Sequence, residues 1–366
     1  MRYLYQNSGW PTFTWNNDIL VPTLSKVRNL QGRLMGKMEA IGFNLRNEAL
    51  LETLTLDVIK STEIEGEILH LDQVRSSLAK RLGLDIGALS YSDRNVDGMV
   101  DLIVDATNNC SEPISSDRLF RWHTALFPTG QSGLYTITVG AWRVDSTGPM
   151  QVVSGAMGKE RVHYQAPDSS VIPHEMDQFI DWFNSETELE PVLKAGIAHL
   201  WFVTLHPFED GNGRIGRALT DMLLARADGT PQRFYSMSAQ IRKERKNYYD
   251  VLERTQKGEL DISDWLSWFL NCLLDALVSS DTVLSKVLCK ASFWERHSTT
   301  SLNERQRLLI NKMLDGFDGK LTSSKWGKIA KCSQDTAVRD IQDLMNKKIL
   351  KKEPSGGRST HYELNG

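Results

Sequence analysis

The run His206-Pro-Phe-Glu-Asp-Gly-Asn-Gly-Arg-Ile-Gly-Arg217 limits what this 366-residue chain can fold into more than any other stretch. Pro207 disfavours helical backbone at His206, so a helix that reaches this point must stop. Gly211 and Gly213 allow a sharp turn and a close approach of backbone to a ligand. Beyond the turn, the spacing of Leu219, Met222 and Leu223 predicts a helix that starts around Asn212 or Gly213 and continues through Arg217 to Arg226. Before it, Ile197, Leu200, Trp201 and Leu205 recur at helical intervals behind Pro191, a start signal. The expectation is two helices joined by a glycine turn.

The same run holds an imidazole, two carboxylates and two guanidiniums. A helix N-terminus presents free N–H groups and the positive end of the helix dipole, which suit an anion. Arg214 and Arg217 are three apart and lean toward one side of the first turn. Two guanidiniums there suit a triphosphate better than a single carboxylate. Asp210 can hold Mg²⁺ against phosphate oxygens, and His206 can take a proton at neutral pH. Gly211, Gly213 and Gly216 also spell G-x-G-x-x-G. That dinucleotide fingerprint needs a preceding strand, whereas the pattern here is helical.

Every fixed position of the run matches H-P-F-x-[D/E]-G-N-G-R-x-x-R, and in this the chain resembles the Fic (Fido) family. The resemblance implies a mainly α fold: a helical core with a β-hairpin flap. It implies transfer of AMP from ATP to a Ser, Thr or Tyr hydroxyl of a protein target, the chain itself included. His206 would be the general base and Asp210 the Mg²⁺ ligand. Asn212 and the backbone of Gly211 and Gly213 would cradle the phosphates, with Ile215 and Gly216 in the same nucleotide-binding run. Arg214 would contact the phosphates and Arg217 the γ-phosphate. Phe208 would anchor the loop in the core, and Glu209 falls at a variable position.

Ser61-Thr-Glu-Ile-Glu65-Gly66 resembles the family's inhibitory motif [S/T]-x-x-x-E-[G/N]. Ser61 and Glu65 are four apart, on one face of a helix. Leu50, Leu54, Val58 and Ile59 supply its apolar spacing, and Gly66 its stop. The resemblance implies that Glu65 pairs with Arg217 and occupies the place of the γ-phosphate. Some relatives of this kind also remove AMP, with the same glutamate orienting a water.

Gly140–Arg143, Met150–Gly155 and Arg161–Pro167 read as a short hairpin with a glycine-containing loop. By resemblance this is the flap, with Val152, Val153, Ser154 and Gly155 receiving the target backbone as an added strand. Tyr248, Tyr249 and Gln256 resemble the segment that completes the adenine pocket. Trp265, Trp268, Phe269 and Leu273 read as an apolar core face.

Three parts are expected: a helical extension over 1–100 with the inhibitory helix, a catalytic domain over 115–270, and a winged-helix domain over 300–366. In the first, Trp10, Pro11 and Trp15 read as packing anchors, and Leu24 to Met38 as an amphipathic helix. In the third, Asn303, Ser324 and Ser333 read as helix caps. Ile349–Lys352 and His361–Leu364 read as strands joined by a wing that starts at Pro354. Residues 303–366 carry 13 lysines and arginines against 8 acids, whereas the rest of the chain is net negative within a total of −3. A basic end on an acidic body suits nucleic acid or an acidic partner, with Gln334, Thr336 and Arg339 on the presumed recognition helix. A DNA-binding regulator with a nucleotide-sensing core is therefore the alternative function. A homo-oligomer is a further expected state. Cys110, Cys272, Cys289 and Cys332 lack metal spacing and read as reduced thiols of a cytoplasmic protein. The first residues lack a signal-peptide core, and no apolar run reaches membrane-spanning length.

Overall fold

The computed structural model describes residues 2–41, 43–84, 91–145, 148–155, 161–314, 319–353 and 360–365. It is mainly helical, with small antiparallel hairpins. Two compact units emerge, the first through Asp281 and the second from Thr282 onward. Among the described residues no helix is long and apolar enough to cross a membrane.

The first unit begins with α1 (Asn17–Ala40), capped by the Asn16 side chain on the Asp18 N–H. It continues with α2 (Phe43–Ile64), α3 (Leu71–Leu82), α4 (Arg94–Asn108) and α5 (Ser116–Leu126). Asp93 caps α4 and Ser115 caps α5, each accepting a backbone N–H that the helix leaves unpaired. Two hairpins follow: β1 (Gln131–Ser132) with β2 (Tyr135–Thr136), and β3 (Gln151–Ser154) with β4 (Arg161–Gln165). Then come α6 (Ile172–Asn184), α7 (Pro191–Leu205), α8 (Asn212–Asp228), α9 (Met237–Lys243) and α10 (Arg245–Gln256). The last helix of this unit, α11, begins at Ser263.

At the centre lies α7, whose residues from Val192 to Leu205 are all buried. A helix that is apolar on every side belongs inside a domain. It packs on α8, while α2 packs on α3, α8 and α9. Trp265, Trp268, Phe269 and Leu273 line the core as expected. Trp10 joins it too: its ring meets Trp201 edge-on, and its indole N–H donates to Glu175 at 2.9 Å.

The second unit holds α12 (Glu304–Leu314), α13 (Ser323–Ile329), α14 (Gln334–Asn346) and the hairpin of β5 (Leu350–Lys352) with β6 (Tyr362–Leu364). Trp326, Ile341, Leu344 and Ile349 sit at its core. Asn303 and Ser333 cap α12 and α14 as expected. The cap of α13 is Thr322 rather than Ser324, because the Thr322 hydroxyl reaches the Lys325 N–H. Residues 354–359 of the expected wing lie outside the described residues.

Candidate active site

Helix α7 ends at His206, which adopts the left-handed conformation, φ 51° and ψ 56°. That geometry costs a non-glycine residue about 1–2 kcal/mol, so the surroundings must hold it. Arg143 does so: its Nε donates to His206 O at 2.8 Å, and its backbone N–H donates to Pro207 O at 2.9 Å. The imidazole Nδ1 lies 3.4 Å from Val203 O. A carbonyl only accepts, so Nδ1 carries the hydrogen and Nε2 keeps its lone pair. Burial pushes the His206 pKa down to about 4; the Val203 bond opposes this and the Arg143 charge assists it. His206 is therefore a neutral base at physiological pH.

Five residues on, Gly211 takes φ 81° and starts α8 with no side-chain cap. The early N–H groups of α8 thus lack intrahelical partners, whereas the Ile215 N–H already donates to Gly211 O at 3.0 Å. Beside this helix start, Asp210 Oδ1 accepts the Gly211 N–H at 2.6 Å and Oδ2 accepts from the Ser132 hydroxyl. Arg214 lies over the Phe127 ring at 4.9 Å, and its Nη1 reaches Glu67 Oε2 at 3.4 Å.

Glu65, just past the end of α2, places Oε1 2.8 Å from Arg217 Nη2. Ser61 supplies two more contacts to that guanidinium, at 2.8 Å from its hydroxyl and 2.9 Å from its carbonyl. Arg217 Nη1 is buried and has no hydrogen-bond partner among the described residues. A Cβ on Gly213 would fall 2.2 Å from Glu65 Oε1, so only glycine there lets the carboxylate lie over the start of α8. The Ser61–Gly66 segment and the run from His206 to Arg217, far apart in sequence, therefore meet at Arg217, the contact that the family resemblance implied. The pairing is made through Glu65 Oε1.

Several expected roles change. Both ends of the Asn212 side-chain amide bond the Phe208 backbone, at 3.0 and 2.8 Å. Asn212 thus closes the loop, and the anion cradle is left to backbone N–H groups. Ile215 is fully buried and Gly216 abuts Val203 and Phe202, because the helical turn carries both to the core side of α8. Tyr248 is 2% exposed and its hydroxyl bonds His199 at 2.9 Å, so it belongs to the core rather than to an adenine pocket. Tyr249, one residue around the helix, is the ring left near Arg217 and Glu65. Gln256 is buried and donates to Val203 O at 3.3 Å, the carbonyl that also orients His206.

The hairpin of β3 and β4 stands where the flap was expected, carrying Val152, Val153, Ser154 and Gly155, but Gly140–Arg143 forms no strand of it. Tyr164 of β4 donates to Thr204 O at 2.7 Å, and His163 and Arg161 bond Glu253 of α10 at 2.7 and 3.1 Å. Sequence reasoning passed over His123. It is fully buried, stacks on Phe208 at 4.2 Å, and accepts the Gly140 N–H while donating to Asp210 O, each at 3.2 Å. It also passed over Ser132, and over the ties from Glu209 to the Thr138 N–H and hydroxyl at 3.0 and 2.8 Å. An isolated histidine on an apolar helix face carries no sequence signal of such a latch.

A family model described as Fic/DOC family matches residues 113–224, and one described as a domain of unknown function (DUF4172) matches residues 3–84. Protein adenylyltransferase fic-1 of Caenorhabditis elegans is 29% identical over 218 residues, 57% of this chain and 38% of that protein. Protein adenylyltransferase Fic of Drosophila willistoni is 38% identical over 99 residues, 26% of this chain and 18% of that protein. The chain thus spans well under half the length of these curated relatives. In fold, it matches a Fic family protein from Desulfovibrio desulfuricans G20 with a TM-score of 0.54 at 21% identity, over 97% of this chain and 98% of that one. C. elegans Fic-1 (aa134–508) matches with a TM-score of 0.51 at 22% identity, over 75% and 74%. The run from His206 to Arg217 lies within the residues that the Fic/DOC family model matches.

Proposed function

We propose that the protein is an autoinhibited AMP transferase that moves AMP from ATP to a hydroxyl of a protein target. The observation that carries the reading is the Glu65–Arg217 contact at 2.8 Å beside a neutral His206 and the uncapped start of α8. With Glu65 displaced, Arg217 meets the γ-phosphate and the free N–H groups of α8 meet the phosphate chain. The target lies along the free edge of the flap and brings its hydroxyl to His206 Nε2. His206 takes the hydroxyl proton as the oxygen bonds the α-phosphorus. The bond from that phosphorus to the bridging oxygen breaks, and pyrophosphate leaves. Removal of AMP by water is the same site run toward hydrolysis.

Asp210 is the residue that fits Mg²⁺. Its side chain is 42% exposed beside the helix start, and among the described residues no cluster of three or more ligating side chains competes for an ion. Mg²⁺ is commonly held by one or two carboxylates plus substrate phosphates and water. When bound, it neutralises charge on the phosphate oxygens. The free cysteines Cys110, Cys272, Cys289 and Cys332 support a reducing, cytoplasmic setting.

The test is incubation of the full chain with Mg²⁺ and α-labelled ATP. Label on protein in the Glu65→Gly variant, weak label in wild type and none in Glu65→Gly/His206→Ala is the expected pattern. Label that follows γ-labelled ATP, or no label in any folded variant, overturns the reading.

A further inference from the structure

We infer that Arg143 is the positioning residue for His206, holding the backbone of the base and the root of the flap in one rigid frame. The kinetic part of its test rests on the transfer reading above; the spectroscopic part does not.

The Arg143 side chain is fully buried, and all three guanidinium nitrogens are engaged. Nε donates to His206 O at 2.8 Å, Nη2 to Pro167 O and Nη1 to Asp145. Asp145 is fixed in turn, since its Oδ2 accepts the Ser169 N–H at 2.8 Å and its own N–H donates to the Ser169 hydroxyl at 3.1 Å. The backbone N–H of Arg143 completes the clamp on Pro207 O. One planar fork therefore joins the catalytic loop to the chain that leaves β4. The last ladder bond of that hairpin, Ala166 N–H to Met150 O at 3.0 Å, lies one residue before Pro167.

A lysine could not do the same. Its single ammonium cannot reach three acceptors that lie in separate directions, whereas a guanidinium presents fixed donors to each. The strained φ of His206 gives the clamp its purpose: released, the residue would relax toward ordinary backbone and carry the imidazole with it. The fork also sets charge. The charged groups that face His206 are Arg143, Asp210 before α8 and Glu65 after α2. The two acids favour protonation of the imidazole and Arg143 opposes it, so Arg143 helps keep the base free to accept a proton.

Arg143→Lys and Arg143→Gln in the Glu65→Gly chain separate the two effects. Both are expected to lower kcat about 100-fold, the usual loss for a catalytic group displaced by about 1 Å, with ATP affinity unchanged. The His206 imidazole, identified by NMR against the His206→Ala spectrum, is expected to titrate higher in Arg143→Gln than in Arg143→Lys, which keeps the charge. Thermal melting establishes that each variant folds, and Arg143→Lys carries the test if Arg143→Gln does not. A kcat equal to that of the parent Glu65→Gly chain and an unmoved His206 titration in folded variants overturn the inference. If the parent Glu65→Gly chain itself transfers nothing, the transfer reading falls while the titration still decides the role of Arg143.

Discussion

Replacing Glu65 should move activity and stability in opposite directions. The carboxylate donates no proton and touches no reacting atom; it holds one edge of Arg217 at 2.8 Å. A hydrogen bond to a charged group is worth roughly 1.5–3 kcal/mol. Glu65 is 30% exposed, so water screens the pair and the lower part of that range applies, about 1.5–2 kcal/mol. A γ-phosphate that must displace Glu65 meets this cost, which corresponds to a factor of about 10–30 in productive ATP binding. Glu65→Gln removes the charge and keeps the bulk; Glu65→Gly removes both. Transfer from α-labelled ATP is therefore expected to rise about 10-fold or more in Glu65→Gly and by less in Glu65→Gln. Thermal stability should fall modestly in each, because Arg217 keeps its Ser61 contacts but loses its counter-charge. A folded Glu65→Gly chain with wild-type transfer and wild-type ATP affinity would refute the reasoning, since the site would then contain no lock to open.

His206→Ala in the Glu65→Gly background should cut kcat at least about 100-fold and leave ATP affinity intact, because a general base acts in the transition state; isothermal titration beside the label assay checks both halves. Arg233→Met should destabilise the fold by about 3–5 kcal/mol in urea melts, since it strands Asp57 and Asp221, both buried and 3.0 and 2.6 Å from the guanidinium. A loss below about 1 kcal/mol would contradict that assignment. Stability should also depend on pH. Burial holds His123 and His206 near 4 and His199 near 3, so the unfolded chain binds more protons than the fold between those values and the ordinary 6.5. Stability then climbs as pH rises through that window. Asp57, raised to about 7 chiefly by burial and then by Asp221, works the other way, so Asp57→Asn should steepen the climb. A melting temperature that falls as pH rises from about 4 to about 6.5 would count against the neutral, buried histidines.

The parts of this structure that a sequence displays are those with local causes. Pro207, Gly211 and the apolar spacing around them are enough to stop one helix at Leu205 and start the next at Asn212. The pairing of Glu65 with Arg217 was legible only through resemblance, because no local rule joins residues so distant in the chain. Side-chain assignments failed where a residue type has both a ligand-facing and a structural use. Asn212 can hydrogen-bond a phosphate or its own loop, and the loop claims it. Tyr248 can face a purine or a core histidine, and the position of His199 on α7 decides. Arg143 was visible as part of a flap, yet its partner is a backbone carbonyl, which leaves no trace in the identity of residue 206.

Helix α2 holds its register through a line of contacts rather than through Glu65 alone. Asp57, Ser61 and Glu65 recur every four residues and so follow one face of α2, about 12 Å from end to end. Asp57 bonds Arg233, which also reaches Asp221 of α8, and Ser61 and Glu65 meet Arg217 of α8. Burial is graded along that line: Asp57 and Ser61 are fully buried, whereas Glu65 is partly exposed and lies beyond the last helical residue, Ile64. Its N–H makes only a tight-turn bond to Thr62 O at 3.1 Å, and Gly66 follows at φ 91°. Helix ends of this kind open with far less free energy than helix middles. Unwinding the terminal turn would free Arg217 Nη2 for a phosphate while the Asp57 anchor keeps α2 in place, so under the proposed autoinhibition a local change would suffice and the helix need not depart.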